Sequence, residues 1–185
     1  MNLSDEEIVD GVLAGEKELY AVLVERYQRP VFNLMYRYSV NTETAADLTQ
    51  EVFVRGYDRL RSFRSGENFF PWLYALAVNH ANDWSRKRSR TRMKLAAYGQ
   101  HLELHEKLTD QQTAFESKEA AELIDGALAE LPVEVRELLI FRYRHERSIR
   151  EAAEVFKISE SAVKMRIKRG LDELQQRVQR AGLVA

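Results

Sequence analysis

The sequence predicts an all-α protein of two small helical domains joined by a flexible linker, with a helix-turn-helix in the second domain. Three observations lead to this prediction. Proline occurs three times and glycine eight times in 185 residues, so few positions interrupt a helix. Apolar residues recur at intervals of three and four, as in helices with one buried face. A polar stretch over 93–117 loses that period, so we expect domains at 1–92 and 118–185.

The first periodic block predicts three helices. Ser4 followed by Glu7 has the spacing of a capping box and should begin a short helix. A long helix should follow from Glu16, and Pro30 should kink or split it because proline lacks the N–H donor. A break at residues 40–42 should cap the third helix, and 61–69 should form a loop. The expected inward positions are Leu19, Val22, Leu23, Tyr27, Val31, Leu34 and Tyr38 in the long helix and Leu48, Val52, Phe53, Tyr57 and Leu60 in the third.

A fourth helix should begin near Phe70 and present two faces. Its apolar stripe runs from Leu73 to Trp84, and its polar face runs into the basic cluster of residues 86–94. Cations at that end also complement the helix dipole. The polar face consists of Asn79, Asn82, Asp83, Arg86 and Arg90.

The formal net charge of −1 conceals an alternation of charge along the chain. Residues 1–25 contain seven acids and one base, whereas residues 86–94 contain six bases and no acid. Residues 95–130 contain eight acids and two bases, and residues 131–185 contain twelve bases and eight acids. Two separate basic zones favour two contacts with a polyanion, although a basic run can also be ordinary solvated surface.

Several classes of protein are disfavoured by what the sequence lacks. There is no cysteine, which excludes disulfides and thiolate metal sites and fits a reducing cytoplasm. The acidic start has no apolar run typical of a secretory signal, and no stretch of about 18 apolar residues predicts a membrane span. The four histidines, His80, His101, His105 and His145, are scattered outside any catalytic motif. We therefore expect a cytoplasmic protein that is no enzyme and needs neither metal nor cofactor.

Residues 148–171 have the layout of a helix-turn-helix. Ser148 and Glu151 have capping-box spacing, the small Ala152 and Ala153 allow a close helix crossing, and Ser159 can cap the second helix. Val163, Ile167, Leu171 and Leu174 should be its buried stripe. Long donors on the opposite face suit the acceptors of the major groove and the phosphates. That face offers Ser161, Lys164, Met165, Arg166, Lys168 and Arg169.

Further motifs carry a resemblance to a known family. The segments 47–57 (DLTQEVFVRGY), 63–64 (FR) and 70–79 (FPWLYALAVN), together with residues 131–174, come in a characteristic order and spacing. They resemble the conserved regions of the extracytoplasmic-function (ECF) sigma factors of bacterial RNA polymerase. The family often has a glycine or small polar residue in the helix-turn-helix turn, where this chain has Phe156-Lys157, and often an apolar residue at the position of Lys168.

The resemblance implies several partners and roles. It implies binding to core RNA polymerase and promoter DNA, reading of the −35 element as duplex and the −10 element as an opened strand, and an antagonist anti-sigma factor. The alternative is a stand-alone helix-turn-helix regulator that does not bind core polymerase. By resemblance, the polymerase-binding residues are Asp47, Gln50, Glu51, Val54 and Arg55. The −10 residues are Ser62, Phe63, Arg64, Asn68, Asn79, Asn82, Asp83, Arg86 and Lys87, and the −35 residues are those of the basic helix face above.

Overall fold

A computed structural model describes residues 3–64, 66–97 and 118–180, which contain helices and turns but no strand. The chain divides into two compact units, Met1–Glu106 and Lys107–Ala185. The predicted all-α, two-domain architecture is confirmed. The helices are α1 (Asp5–Ala14), α2 (Tyr20–Ser39), α3 (Thr42–Asp58), α4 (Phe69–Ala97), α5 (Lys118–Ala129), α6 (Val133–Leu139), α7 (Ile149–Phe156) and α8 (Glu160–Arg180), with 3-10 turns at Lys17–Leu19 and Leu60–Ser62 and a π-helical turn at Ile140–Arg144.

The first unit is built on α2, α3 and α4, which pack against one another, with α1 lying against α2. The predicted capping box begins α1, since the Ser4 hydroxyl accepts from the Glu7 N–H and the Glu7 carboxylate accepts from the Ser4 N–H. Asp5 then ties α1 to α2 by accepting hydrogen bonds from Arg26 and Tyr27. An acidic residue of the N-terminal segment is thus paired within its own unit.

Pro30 lies inside α2 without ending it. The alternative of a split helix is wrong, because the packing of α2 on α3 and α4 outweighs the one backbone hydrogen bond that proline removes. Two expected inward positions, Val22 and Tyr57, are exposed. A stripe chosen from spacing alone was therefore too wide in this unit.

The second unit contains α5 to α8, and α6, α7 and α5 all contact α8. The Ser148 capping box is present at the start of α7, and the Ser159 hydroxyl accepts from the Ala162 N–H at the start of α8. Lys157 ends α7 with φ 53°, a left-handed conformation that glycine adopts without strain. The predicted pair of crossing helices is formed.

Helical spacing from Val135, Leu138 and Leu139 predicts that Tyr143 also lies inward, and that Leu171 continues the buried stripe of α8. Both predictions are wrong. Tyr143 is 52% exposed and Leu171 is 38% exposed. Leu138 to Phe141 are four consecutive buried residues, and Tyr143 lies beyond them in the π-helical turn, where the 3.6-residue period on which the prediction rests does not hold.

The structure describes only the first residues of the predicted linker, 93–97. α4 continues to Ala97, past the expected boundary at residue 92. Residues 98–117 lie outside the described part of the chain. The boundaries 1–92, 93–117 and 118–185 therefore stay predictions.

Candidate functional site

The five predicted polymerase-binding residues form one exposed surface, which we call the α3 outer face. The opposite side of α3 is buried at Leu48, Val52 and Phe53, so the alternation of the helix sets the exposed face. Val54 is 54% exposed, although it is apolar. Glu51 and Arg55, one turn apart, make an exposed ion pair of 3.6 Å between Oε2 and Nη2. The α3 outer face consists of Asp47, Gln50, Glu51, Val54 and Arg55, all exposed.

A groove of about 750 Å³ runs between α2 and α3, next to the α3 outer face. Gln50 and Val54 belong to both surfaces. Most of the groove wall is apolar, and exposed apolar surface of this kind is typical of a site for another protein. Its lining comprises Tyr20, Val24, Gln28, Arg29, Phe32, Ala46, Thr49, Gln50, Phe53, Val54 and Tyr57.

A buried histidine lies beneath the α3 outer face. His80 of α4 is 6% exposed, and its Nε2 lies 3.1 Å from Oε2 of Glu51. This contact is electrostatic, because the atoms are not aligned for a hydrogen bond and Nε2 has none within the described residues. Burial lowers the pKa of His80 and the Arg55 guanidinium lowers it further, whereas Glu51 and Asp83 partly oppose the shift. His80 is therefore held neutral to a lower pH than an exposed histidine.

The loop before α4 carries four of the predicted −10 residues. The Ser62 hydroxyl donates to the carbonyl of Arg59 at 2.7 Å, and Arg64 and Asn68 are exposed. Phe63 is buried, with its ring centroid 5.7 Å from that of Phe69 and 5.6 Å from that of Trp72. Phe63 thus anchors the loop to the core of the unit, and its ring is not exposed for stacking on a base.

The N-terminal helix holds the middle of the same loop. The Gly66 N–H donates to Oε1 of Glu6 at 3.0 Å. Gly66 has φ 88°, a conformation that glycine adopts without steric cost. Nothing in the spacing of the sequence indicated this contact.

The other predicted −10 residues follow one another along α4. Asn79 and Asn82 are half-buried and hydrogen-bonded within the protein, whereas Asp83, Arg86 and Lys87 are exposed. Asp83 and Arg86 form an exposed ion pair with a 3.8 Å separation. Asn79 lies ten residues into α4, about 15 Å along the axis from the loop. The loop and the polar face of α4 are therefore two separate zones, one after the other along the helix axis.

Not every cation in the basic cluster of residues 86–94 is free to contact a partner. Arg88 donates to the carbonyl of Ser39 at 3.1 Å, and its guanidinium lies 5.0 Å from the Trp84 ring centroid. Arg88 therefore caps the C-terminal end of α2. Arg86 and Lys87 remain as exposed cations on this part of α4.

The predicted −35 residues are all exposed on α8, but they cover more than one face. A residue of an α-helix advances by about 100°, which centres Ser161, Lys164, Met165 and Lys168 opposite the buried Val163, Ile167 and Gly170. Arg169 lies to one side of that centre. Arg166 lies farther round, towards the buried stripe.

The spacing of the sequence did not reveal the groove or its α2 wall. The available signal was an excess of apolar positions on α2 and α3, more than one buried stripe needs. Because His80 lies among apolar helix positions, the sequence predicts a partly buried core histidine, and the structure buries it. His101 and His105 lie outside the described residues.

Two further observations apply to the described parts of the chain. No group of three or more histidine, aspartate or glutamate side chains there could hold a metal ion. None of the helices described is both long enough and apolar enough to span a bilayer.

Both units match one family of transcription proteins. Residues 23–91 match sigma-70 region 2, and residues 121–174 match sigma-70 region 4. The matches cover about two thirds of the chain and fall on the first unit and on the helix-turn-helix unit. The chain belongs to the sigma-70 family of RNA polymerase sigma factors, which are transcription initiation factors and not enzymes.

Comparison with individual proteins narrows the class. The chain is 28% identical over 183 residues to the ECF RNA polymerase sigma-E factor of Haemophilus influenzae, covering 96% of each chain. It is 28% identical over 184 residues to the ECF RNA polymerase sigma factor SigW of Bacillus subtilis, covering 96% of this chain and 98% of the relative. It is an ECF-type sigma factor.

A solved structure has the same fold. The sigma factor RpoE of Bartonella quintana, in a complex with the anti-sigma factor NepR, has a TM-score of 0.67 and 21% identity over 86% of this chain and 96% of that chain. The predicted family is confirmed. The match to region 2 sets aside the alternative of a stand-alone helix-turn-helix regulator.

Proposed function

We propose that this sigma factor binds core RNA polymerase through the α3 outer face and the adjoining groove, and reads two promoter elements with α4 and α8. The observation that carries the proposal is the exposure of all five α3 residues beside an apolar groove. Mixed polar residues with one exposed valine suit the docking of another helix. In this role the chain would act in the cytoplasm, where the polymerase works.

Polymerase binding can be tested with a charged substitution at the groove edge. Val54→Asp should weaken binding to core polymerase, because an unpaired carboxylate would be desolvated in the interface. Val22→Asp is the matched control, since Val22 is also an exposed valine but does not line the groove. Equal binding by the two variants would place the polymerase elsewhere.

For the −35 element, we propose that α8 enters the major groove. Ser161, Lys164, Met165 and Lys168 would face base edges, while Arg166 and Arg169, to the sides, would contact phosphates. Lys164→Ala should reduce affinity and relax base preference, by roughly 1–3 kcal/mol for a base-edge contact. Arg166→Ala should reduce affinity for all sequences and lower the salt dependence by about one counterion.

Lys17→Ala is the charge-matched control for both variants, because Lys17 is an exposed cation of the first unit. Fluorescence anisotropy of the full chain with core polymerase on duplex −35 DNA would measure the effects. Unchanged affinity in both α8 variants would remove α8 as the recognition helix.

For the −10 element, we propose that the loop around Ser62–Asn68 and the polar face of α4 hold an opened strand. Phe63 supports the loop from inside, Arg64, Arg86 and Lys87 offer cations to phosphates, and Asn79, Asn82 and Asp83 offer hydrogen-bonding groups. Contacts made only with the unpaired strand would offset the few kcal/mol of unstacking and favour opening.

The whole proposal is tested by run-off transcription with core polymerase on a library of genomic fragments. Specific transcripts that share two spaced elements are expected. The absence of any transcript dependent on the chain would refute it.

We also propose that an anti-sigma factor regulates the chain. The support is the Bartonella quintana complex with NepR, a sigma factor of the same fold. A host protein that co-purifies with the chain and, once purified, blocks its binding to core polymerase is expected. A chain bound fully to polymerase under all growth conditions would contradict this proposal.

A further inference from the structure

One carboxylate oxygen of Glu51 lies between an exposed cation and a buried histidine. On the exposed side, Oε2 of Glu51 lies 3.6 Å from Nη2 of Arg55, one turn along α3. On the buried side, the same oxygen lies 3.1 Å from Nε2 of His80 in α4. The Glu51 side chain is 54% exposed, whereas that of His80 is 7% exposed. Glu51 therefore connects the α3 outer face with a buried group that can gain a charge.

The buried histidine lacks a hydrogen bond where it meets Glu51. Nε2 of His80 has no hydrogen-bond partner within the described residues. A proton added to His80 would make both ring nitrogens donors, and a buried donor without an acceptor costs free energy. The half-exposed side chain of Glu51 can turn to accept from Nε2. Protonation of His80 would therefore draw the Glu51 carboxylate towards the core.

The other charges around His80 come from the same two helices. α4 packs against α2 and α3. Arg55 acts on His80 from α3 together with Glu51, and Asp83 acts from the next turn of α4. From α2, the Tyr38 hydroxyl reaches α4 and is hydrogen-bonded there. Burial and the Arg55 guanidinium lower the pKa of His80, so His80 gains its proton only in acid.

We propose that His80 is a positioning residue that makes polymerase binding sensitive to pH. Neutral His80 leaves the Glu51 carboxylate to the polymerase, whereas protonated His80 holds it inward. This inference rests on the proposed binding of core polymerase by the α3 outer face. An ionised carboxylate can only accept hydrogen bonds, so the polymerase must offer a donor to Glu51. Protonated His80 competes with that donor for the same oxygens and places a positive charge behind it.

Thermodynamic linkage gives the sign and the limit of the effect. A polymerase that binds the form with neutral His80 lowers the pKa of this residue further, so acid must weaken binding. Because the pKa of His80 in the free chain is already lowered from 6.5, the affinity should begin to fall only below that pH. One proton changes an affinity by at most about tenfold per pH unit.

The test measures the dissociation constant of the full chain and core polymerase between about pH 7.5 and about pH 5.5. Circular dichroism at each pH checks that the chain is folded. The wild type should bind more weakly in acid. His80→Gln cannot gain a proton and should remove most of this fall. Glu51→Gln changes a half-exposed side chain and should remove the same part, because an uncharged amide does not attract the protonated histidine.

Two further variants complete the test. His145→Gln is the matched control, since His145 is a half-buried histidine of the second unit, and it should keep the pH dependence of the wild type. The double variant of Glu51→Gln and His80→Gln should have the pH dependence of either single variant, because the two residues act as one unit.

An affinity of the wild type that is constant over this pH range would overturn the inference. The same fall in His80→Gln as in the wild type would overturn it too. A fall that disappears in His80→Gln but persists in Glu51→Gln would show that His80 does not act through Glu51. Equal binding of Val54→Asp and Val22→Asp at about pH 7.5 would instead reject the proposed function, which is a distinct result.

Discussion

Gly56 of α3 lies against Tyr20 of α2 and Leu73 of α4 in the first unit. A Cβ added there would lie 2.8 Å from the Tyr20 hydroxyl oxygen and 3.4 Å from Cδ1 of Leu73. The same hydroxyl donates to the carbonyl of Phe53 at 2.8 Å, and the Tyr20 ring packs edge-on against Tyr57 at a centroid distance of 5.1 Å. Gly56→Ala should therefore displace Tyr20 and break a buried hydrogen bond.

Two destabilising effects and one stabilising effect decide the size of the change. Overpacking of a buried site costs about 1–3 kcal/mol, and loss of the hydrogen bond adds about 0.5–1.5 kcal/mol. Replacement of glycine within a helix by alanine offsets about 1 kcal/mol of this. The free energy of unfolding of the first unit should therefore fall by about 0.5–3.5 kcal/mol.

A double-mutant cycle isolates the contact. In the Tyr20→Phe background the clashing oxygen and its hydrogen bond are already absent, so Gly56→Ala should be neutral or stabilise by up to about 1 kcal/mol. Urea denaturation of the four proteins, followed by circular dichroism, measures the coupling. Additive effects of the two substitutions would refute the proposed clash.

Three further predictions concern stability. The lowered pKa of His80 means that the folded state binds this proton more weakly than the unfolded chain does, so the free energy of unfolding should fall as the pH drops below about 6.5. His80→Gln should make the melting temperature depend less on pH in a series of thermal melts. An unchanged dependence would contradict this. Ser148→Ala should destabilise the second unit, and Ser4→Ala the first, by about 1 kcal/mol each, and calorimetry that finds both changes in one transition would disagree. Gly170→Ala would bring a Cβ within 2.7 Å of Cγ1 of Val135. It should lower the denaturant midpoint of the second unit by an amount equivalent to up to about 2 kcal/mol. A raised midpoint would show that Val135 moves aside.

Features that depend on neighbours within one or two helical turns could be predicted from the sequence. The capping boxes at Ser4 and Ser148 join residues three apart, and both form. The exposed faces of α3 and α8 also follow from the period of 3.6 residues, which relates a side chain to the buried stripe of its own helix. The two matched regions of the sigma-70 family rest on these local patterns.

Local spacing failed where the helix itself was irregular. Tyr143 was expected inside, but it lies exposed in a π-helical turn, where the 3.6-residue period does not hold. Pro30 could have kinked or split α2, and only the packing of three helices decided that α2 continues through it. For Pro30, tertiary contacts outweighed the local preference.

By itself, the amino-acid sequence determined that the chain forms helices, where four of the eight described helices are capped, and which family the chain belongs to. Only the tertiary structure decided that α2 and α3 enclose a groove, that His80 lies under Glu51, and that Tyr38 orients Asn82. The physical reason is the distance along the chain. Glu51 and His80 are 29 residues apart, and Tyr38 and Asn82 are 44 residues apart. The helical period relates side chains within one helix and does not relate one helix to the side chains of another.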